Sequence, residues 1–154
     1  MVAYDEVTLR PATIEDADLV LRVTEACMRR YAEQTWGRWD EDRTRQSFVP
    51  ATHEIIQYRE QDIGCIERTS ALQHVSLNKL YILPAYQNCG IGTHLMRQLM
   101  DDARSAKKSI QLTVLLVNPA RRFYQRLGFV VTQSTPERHH MLWNWRDHEL
   151  KKPR

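Results

Sequence analysis

The sequence predicts an α/β fold, one mixed sheet with helices on both faces. Apolar residues recur at helical spacing in two long segments, apolar and β-branched runs of strand length stand between them, and Gly or Pro marks most of the joins. In order the segments read β-α-α-β-β-β-α-β-α-β-β, and strands interleaved with helices imply a sheet covered on each side. At 154 residues the chain is one domain by length, residues 1–154, with room for a core that needs no disulfide or metal.

VTLRPA (7–12) reads as a short strand ended by Pro11, and the segment 13–32 as a helix with Thr13 as N-cap and Glu15, Asp16 and Asp18 placing negative charge around its first turn. Ile14, Ala17, Leu21, Thr24, Cys27 or Met28, and Tyr31 give that helix a buried stripe. Gly37 breaks it, Asp40 caps a second helix, and Pro50 closes that one. HEIIQYRE (53–60) and IGCIERTSA (63–71) read as a hairpin around the turn EQD, followed by the strand VSLNKLYILP (75–84). Ile91, Leu95, Leu99, Ala103 and Ala106 mark one face of the next helix. SIQLTVLLV (109–117) is almost continuously apolar, as expected of a strand buried on both faces. PARRFYQRLG is a short helix ended by Gly128, FVVTQST and HHMLWNW are a final strand pair, and the charged tail 146–154 reads as frayed.

Composition bounds the function. The net charge is +3, with Lys and Arg dispersed among Asp and Glu, which suits small anions and speaks against a nucleic-acid face. Cys27, Cys65 and Cys89 are odd in number and widely spaced, so neither a disulfide framework nor a zinc site is expected. No apolar run reaches membrane-spanning length and the N-terminus lacks a signal-peptide core, so a cytoplasmic protein with no membrane partner is expected.

YQNCGIG (86–92) stands at a strand-to-helix turn. Gly90 and Gly92 suit either a tight connection or an anion held by free N–H groups at the helix start. The turn has no third glycine for a dinucleotide fingerprint and no Lys-Ser or Lys-Thr for a Walker loop.

The wider string LNKLYILPAYQNCGIGTHLM resembles the signature segment of the GNAT acetyltransferase superfamily, in which a strand precedes Gln/Arg-x-x-Gly-x-Gly/Ala; Gln87, Gly90 and Gly92 match at that spacing. NPARRFYQRLGF (118–129) looks like the family's Asn…Phe/Leu-Tyr-x-x-x-Gly-Phe element, and the element order also agrees over about residues 7–145. The resemblance implies a mostly antiparallel central sheet of about six to seven strands and a transferase that uses acetyl-CoA, passing acetyl directly to an amine of a small molecule or protein, with homodimers common. It implies a pyrophosphate cradle at Gln87, Asn88, Cys89, Gly90, Ile91, Gly92 and Thr93. Leu80, Tyr81 and Ile82 would run beside the pantetheine, with the Ile82 N–H facing the thioester oxygen. Tyr124 would protonate the leaving thiolate. Asn118 would reach the pantetheine, although it stands six residues before Tyr124 where many relatives have seven.

Many relatives carry Glu at the position of Asn78, which alternation places on one strand face with Leu80 and Ile82. Glu67 and Glu54 are the substitute bases, and deprotonation through water is equally admissible. The acceptor is expected between the first two helices and the sheet end, near Tyr31, Gln34, Trp36 and Asn78; the aromatics and carboxylates of 29–42 could receive a cationic amine. Asn78 and the short Asn-to-Tyr spacing also suit a catalytically silent acyl-CoA-binding module. Cys89, at a helix N-terminus, is a candidate for oxidative blockade of the cofactor loop or else a passive small residue.

Overall fold

The computed structural model describes residues 2–148. The strands are β1 (Val7–Pro11), β2 (His53–Tyr58), β3 (Gln61–Ser70), β4 (His74–Ile82), β5 (Ser109–Leu115), β6 (Val130–Ser134) and β7 (Arg138–Trp143). The helices are α1 (Ala17–Trp36), α2 (Glu41–Gln46), α3 (Ile91–Ser105) and α4 (Ala120–Arg126). The strands form one open sheet in the order β1-β2-β3-β4-β5-β7-β6. β4 and β5 are parallel and every other neighbouring pair is antiparallel.

Both faces are covered because adjacent strand residues point to opposite sides. Ile56 faces α3 and α4 in a core with Ile66, Leu95, Leu112 and Tyr124, while its neighbour Ile55 packs with Cys65 against Val20 and Val23 of α1. Two helix ends follow local chemistry. Gly37 closes α1 at φ +78°, and Asp40 caps α2 by accepting from the Arg43 N–H at 3.0 Å.

Several sequence expectations need correction. α1 begins at Ala17, after a 3₁₀ turn (Ile14–Asp16) in which the Asp16 carboxylate accepts from the Thr13 N–H at 2.8 Å and grips Arg10. That turn swings Ile14 outward, 69% exposed; of the expected stripe Leu21 and Thr24 are buried, and the other buried residues of α1 are Val20, Val23 and Ala32. The β2–β3 reversal is the two-residue turn Arg59–Glu60, both left-handed at φ +50° and +67°, which lengthens β3 at its start. β5 is buried on both faces only at its end: Ile110, Leu112 and Val114 face the core, whereas on the other face Gln111 and Thr113 are exposed and Leu115 alone is buried. In the tail, Trp145–His148 is a 3₁₀ turn, and 149–154 lie outside the described residues.

Candidate functional site

The site begins with a defect in β4. Its register with β3 shifts between Glu67 and Arg68, so that Glu67 faces Lys79, Arg68 faces Leu77, and Asn78 is the extra residue of a bulge. A bulge bends its strand and increases local twist. β4 pairs with β5 only from His74↔Ser109 to Ser76↔Gln111, and beyond the bulge the two strands separate. The bulge also resets the alternation, so that Leu77, Leu80 and Ile82 all pack into the α3-side core. Asn78 therefore does not share a regular face with Leu80 and Ile82; it is exposed and opens on the gap.

The gap is a cleft of about 510 Å³. At its edge the Leu83 N–H bonds the Ile63 carbonyl at 2.8 Å. By the alternation of an antiparallel ladder, the Ile82 N–H then turns away from β3, toward the space β5 has left. The Ile82 carbonyl is held by the Gln87 side-chain amide at 2.7 Å and by the Cys27 thiol at 3.2 Å, which pins the end of β4.

The glycine turn closes one end. Asn88 and Gly90 are left-handed at φ +61° and +88°, and the first N–H with a backbone partner is His94, to the Gly90 carbonyl at 3.0 Å. Among the described residues, the N–H groups of 88–93 have no acceptor, so the start of α3 offers a row of free donors and the positive end of the helix dipole. Asn88, Gly90, Ile91, Gly92 and Thr93 all line the cleft. A Cβ at Gly92 would make only ordinary contacts, 3.5 Å from Phe123 and 3.7 Å from Ile82. The protein thus tolerates a side chain there, and the glycine's effect is to leave room in the cleft. Cys89 does not line it: its thiol donates to the Tyr86 carbonyl at 3.0 Å and its side chain packs on the core.

Tyr124, on α4, is 7% exposed and lines the cleft, edge-on to Phe123 and Phe129. Its hydroxyl has no protein hydrogen bond among the described residues, and burial pushes the phenol well above its ordinary pKa. It is therefore a neutral O–H with an uncommitted proton. Asn118 stands just before Pro119, the N-cap of α4, and accepts from the Ala120 N–H at 2.9 Å, while its amide lies 3.9 Å from the Met28 sulfur across the cleft.

The acceptor-side expectations are only partly brought together. Tyr31 and Asn78 line the cleft. Gln34 lies on the outward face of α1, among Arg29, Arg30 and Glu33. Trp36 is 44% exposed, with the Arg138 guanidinium 5.5 Å over its ring. Glu67 is tied back on the α1 side, accepting from Thr52 at 2.9 Å and standing 3.6 Å from the His53 ring, and Glu54 is paired with Arg68 at 2.8 Å. Neither carboxylate lines the cleft. The acidic residues of 29–42 are engaged or turned elsewhere: Glu33 binds Arg29 and Asp40 caps α2.

Sequence reading missed several contributors, Arg126 of α4 among them. Lys79 and Arg138 line the cleft, brought there by sheet pairing that no local pattern reveals. Tyr4 donates its hydroxyl to the Cys89 carbonyl at 3.1 Å, stacks on His94 at 5.0 Å, and occupies the space that a Cβ at Gly90 would need.

A family model of the acetyltransferase (GNAT) domain matches residues 46–131, more than half of the chain. No curated protein sequence matches. Among solved structures, the PaiA N-acetyltransferase of Thermoplasma acidophilum in complex with coenzyme A is 19% identical, with a TM-score of 0.71 over 90% of this chain and 98% of that one. An acetyltransferase from Thermus thermophilus is 17% identical, with a TM-score of 0.72 over 90% and 96%. Arabidopsis thaliana Naa50, in complex with a bisubstrate analogue of CoA and a peptide, is 16% identical, with a TM-score of 0.64 over 89% and 97%. At these identities the likeness is one of fold.

Proposed function

The chain belongs to the GNAT acetyltransferase domain family, and from that premise we propose that residues 1–154 act as one acetyl-CoA-dependent N-acetyltransferase domain. Acetyl would pass directly to a primary amine. The observation that carries the proposal is the row of free N–H groups at 88–93 opening onto the same cleft as the unpaired edge of β4. The donors and the helix dipole suit a pyrophosphate, and the free edge of Leu80, Tyr81 and Ile82 suits an amide-bearing arm. Asn118 stands where such an arm would pass. Acetyl-CoA, when bound, supplies an acyl group activated as a thioester.

The chain's own groups then have definite tasks. The Ile82 N–H, on a strand end pinned by Gln87 and Cys27, donates to the oxygen on which charge develops. Tyr124 Oη holds a proton and can release it to the departing sulfur, whose ordinary thiol pKa near 8.5 makes it an undemanding leaving group. Cys27 is the cysteine that lines the cleft, and burial pushes its thiol up to about 11, so it stays protonated and a covalent acyl-cysteine route is disfavoured.

Deprotonating a lysine-like amine at pH 7 requires about 4–5 kcal/mol. Among the described residues no carboxylate lines the cleft to accept that proton, and Glu67 is held away from it. Cations line it instead, and positive surroundings favour the neutral, nucleophilic amine. Water can then carry the proton out. The missing carboxylate equally favours the second reading, a silent acyl-CoA-binding module. Calorimetry with CoA and a thiol-release assay over a panel of amines separate the readings. Binding with turnover supports transfer, binding without turnover supports the silent module, and no binding defeats both.

A further inference from the structure

The charges that line the cleft point to the class of acceptor. Lys79, Arg126 and Arg138 face it, and among the described residues no Asp or Glu does. Arg126 lies one helical turn beyond Phe123, whose ring is the nearest neighbour of Gly92, so this cation belongs to the glycine-turn end. Arg138 stands at the other end. It opens β7, pairs with Leu115 at the tip of β5, and sets its guanidinium over the Trp36 ring at the end of α1. Its neighbour His139 turns to the opposite face, 3.4 Å from Arg121 of α4. Lys79 is fixed on the α1 side as well, its ammonium 3.1 Å from His53 Nε2.

We infer that the acceptor is a small amine carrying its own anionic group, a carboxylate or phosphate close to the nitrogen, with Arg138 as the residue that reads that group. This rests on the transferase reading above. Arg138 has no carboxylate partner among the described residues, so its donors are uncommitted. The guanidinium carbon lies 5.5 Å from the centroid of the Trp36 ring, which holds this cation beside the end of α1, and a planar fork of donors matches two anionic oxygens at once. A polyamine or a lysine-rich tail would place its extra charges against Lys79 and Arg138 with no carboxylate to receive them. The volume points the same way, since about 510 Å³ must also admit the cofactor arm.

The test uses matched pairs, free amino acids against their C-terminal amides, with phosphoethanolamine and spermidine as the outer arms. Thiol release gives kcat/KM, compared per unprotonated amine because a carboxylate also raises the pKa of its own amine. Calorimetry on the CoA-loaded protein measures acceptor binding independently of chemistry. The acid form is expected to exceed the amide at least tenfold in both readouts. Arg138→Gln should bring that ratio to within about threefold of unity, and Arg138→Lys should retain part of it. Turnover of phosphoethanolamine but not of amino acids would assign the anion as phosphate. Preference for the amide or for spermidine, or an acid-over-amide ratio unmoved by Arg138→Gln, overturns the inference. CoA binding without turnover of any amine defeats the transferase reading alone, and the calorimetric pair still decides the charge preference.

Discussion

Two tyrosines, 120 residues apart in the chain, act on one cleft by different means. Tyr124 presents a neutral hydroxyl with no protein partner among the described residues, and removing that oxygen leaves the edge-on packing with Phe123 and Phe129 in place. Tyr124→Phe should therefore lower kcat by about 10²-fold, at the low end for a general acid because a thiolate leaves readily. Affinity for CoA should hold, and wild-type turnover in this variant would remove the acid role. Tyr4 acts through another residue. Its hydroxyl holds the Cys89 carbonyl and its ring fills the space over Gly90, so it sets the direction of the free N–H groups without touching the cleft itself. One hydrogen bond is worth about 1 kcal/mol. Tyr4→Phe should raise KM for acetyl-CoA about fivefold with a smaller change in kcat, whereas a purely structural role would appear as lost thermal stability with KM unmoved.

At the scale of elements, the bulge in β4 is the feature on which the site depends. Gly64 of β3 lies opposite Ile82, and a Cβ there would collide with the Tyr81 carbonyl and sit 3.1 Å from the Ile82 Cα. Both neighbours are backbone, so the strand itself would have to move. Gly64→Ala should destabilise the protein by about 1–3 kcal/mol in denaturant titrations and weaken CoA binding, because the displaced strand carries the Ile82 N–H. An unchanged midpoint would mean that β4 yields at that point without loss. The same element marks the limit of what sequence reveals. Strand, glycine turn and α3 are legible because each is a local pattern: alternation, left-handed Gly90, and apolar residues four apart. The bulge is not, since Asn78 carries no signal that it is an extra residue. Reading regular alternation through it puts Asn78 on the wrong footing and makes Glu67 look closer to the chemistry than its bond to Thr52 permits. Tyr4 and Arg138 are invisible for a related reason, their partners Cys89 and Trp36 being remote in sequence.

At the scale of the whole molecule, the floor of the α1 side is tied together by one buried histidine. His53 is 2% exposed, its Nδ1 is 2.6 Å from the Val49 carbonyl, and its Nε2 is 3.1 Å from the Lys79 ammonium. Since the carbonyl accepts and the ammonium donates, the ring is neutral with its proton on Nδ1. Burial holds its pKa below the ordinary value near 6.5; Lys79 lowers it further, against the Val49 carbonyl and Glu67, which act to raise it. The unfolded chain therefore takes up this proton at higher pH than the folded one does. The stabilisation is complete above about pH 6.5 and is lost progressively as pH falls toward the folded pKa. Asp16, held below the ordinary carboxylate range chiefly by Arg10, loses its contribution only at pH below about 4, so the two windows separate. The melting temperature should fall as pH drops from 6.5 to 4.5, and His53→Gln should flatten that slope even if the variant is less stable throughout. A wild-type melting temperature constant over the interval would mean that His53 can charge in place. Lys79, which lines the cleft from the same network, would then have to move away from the charged ring.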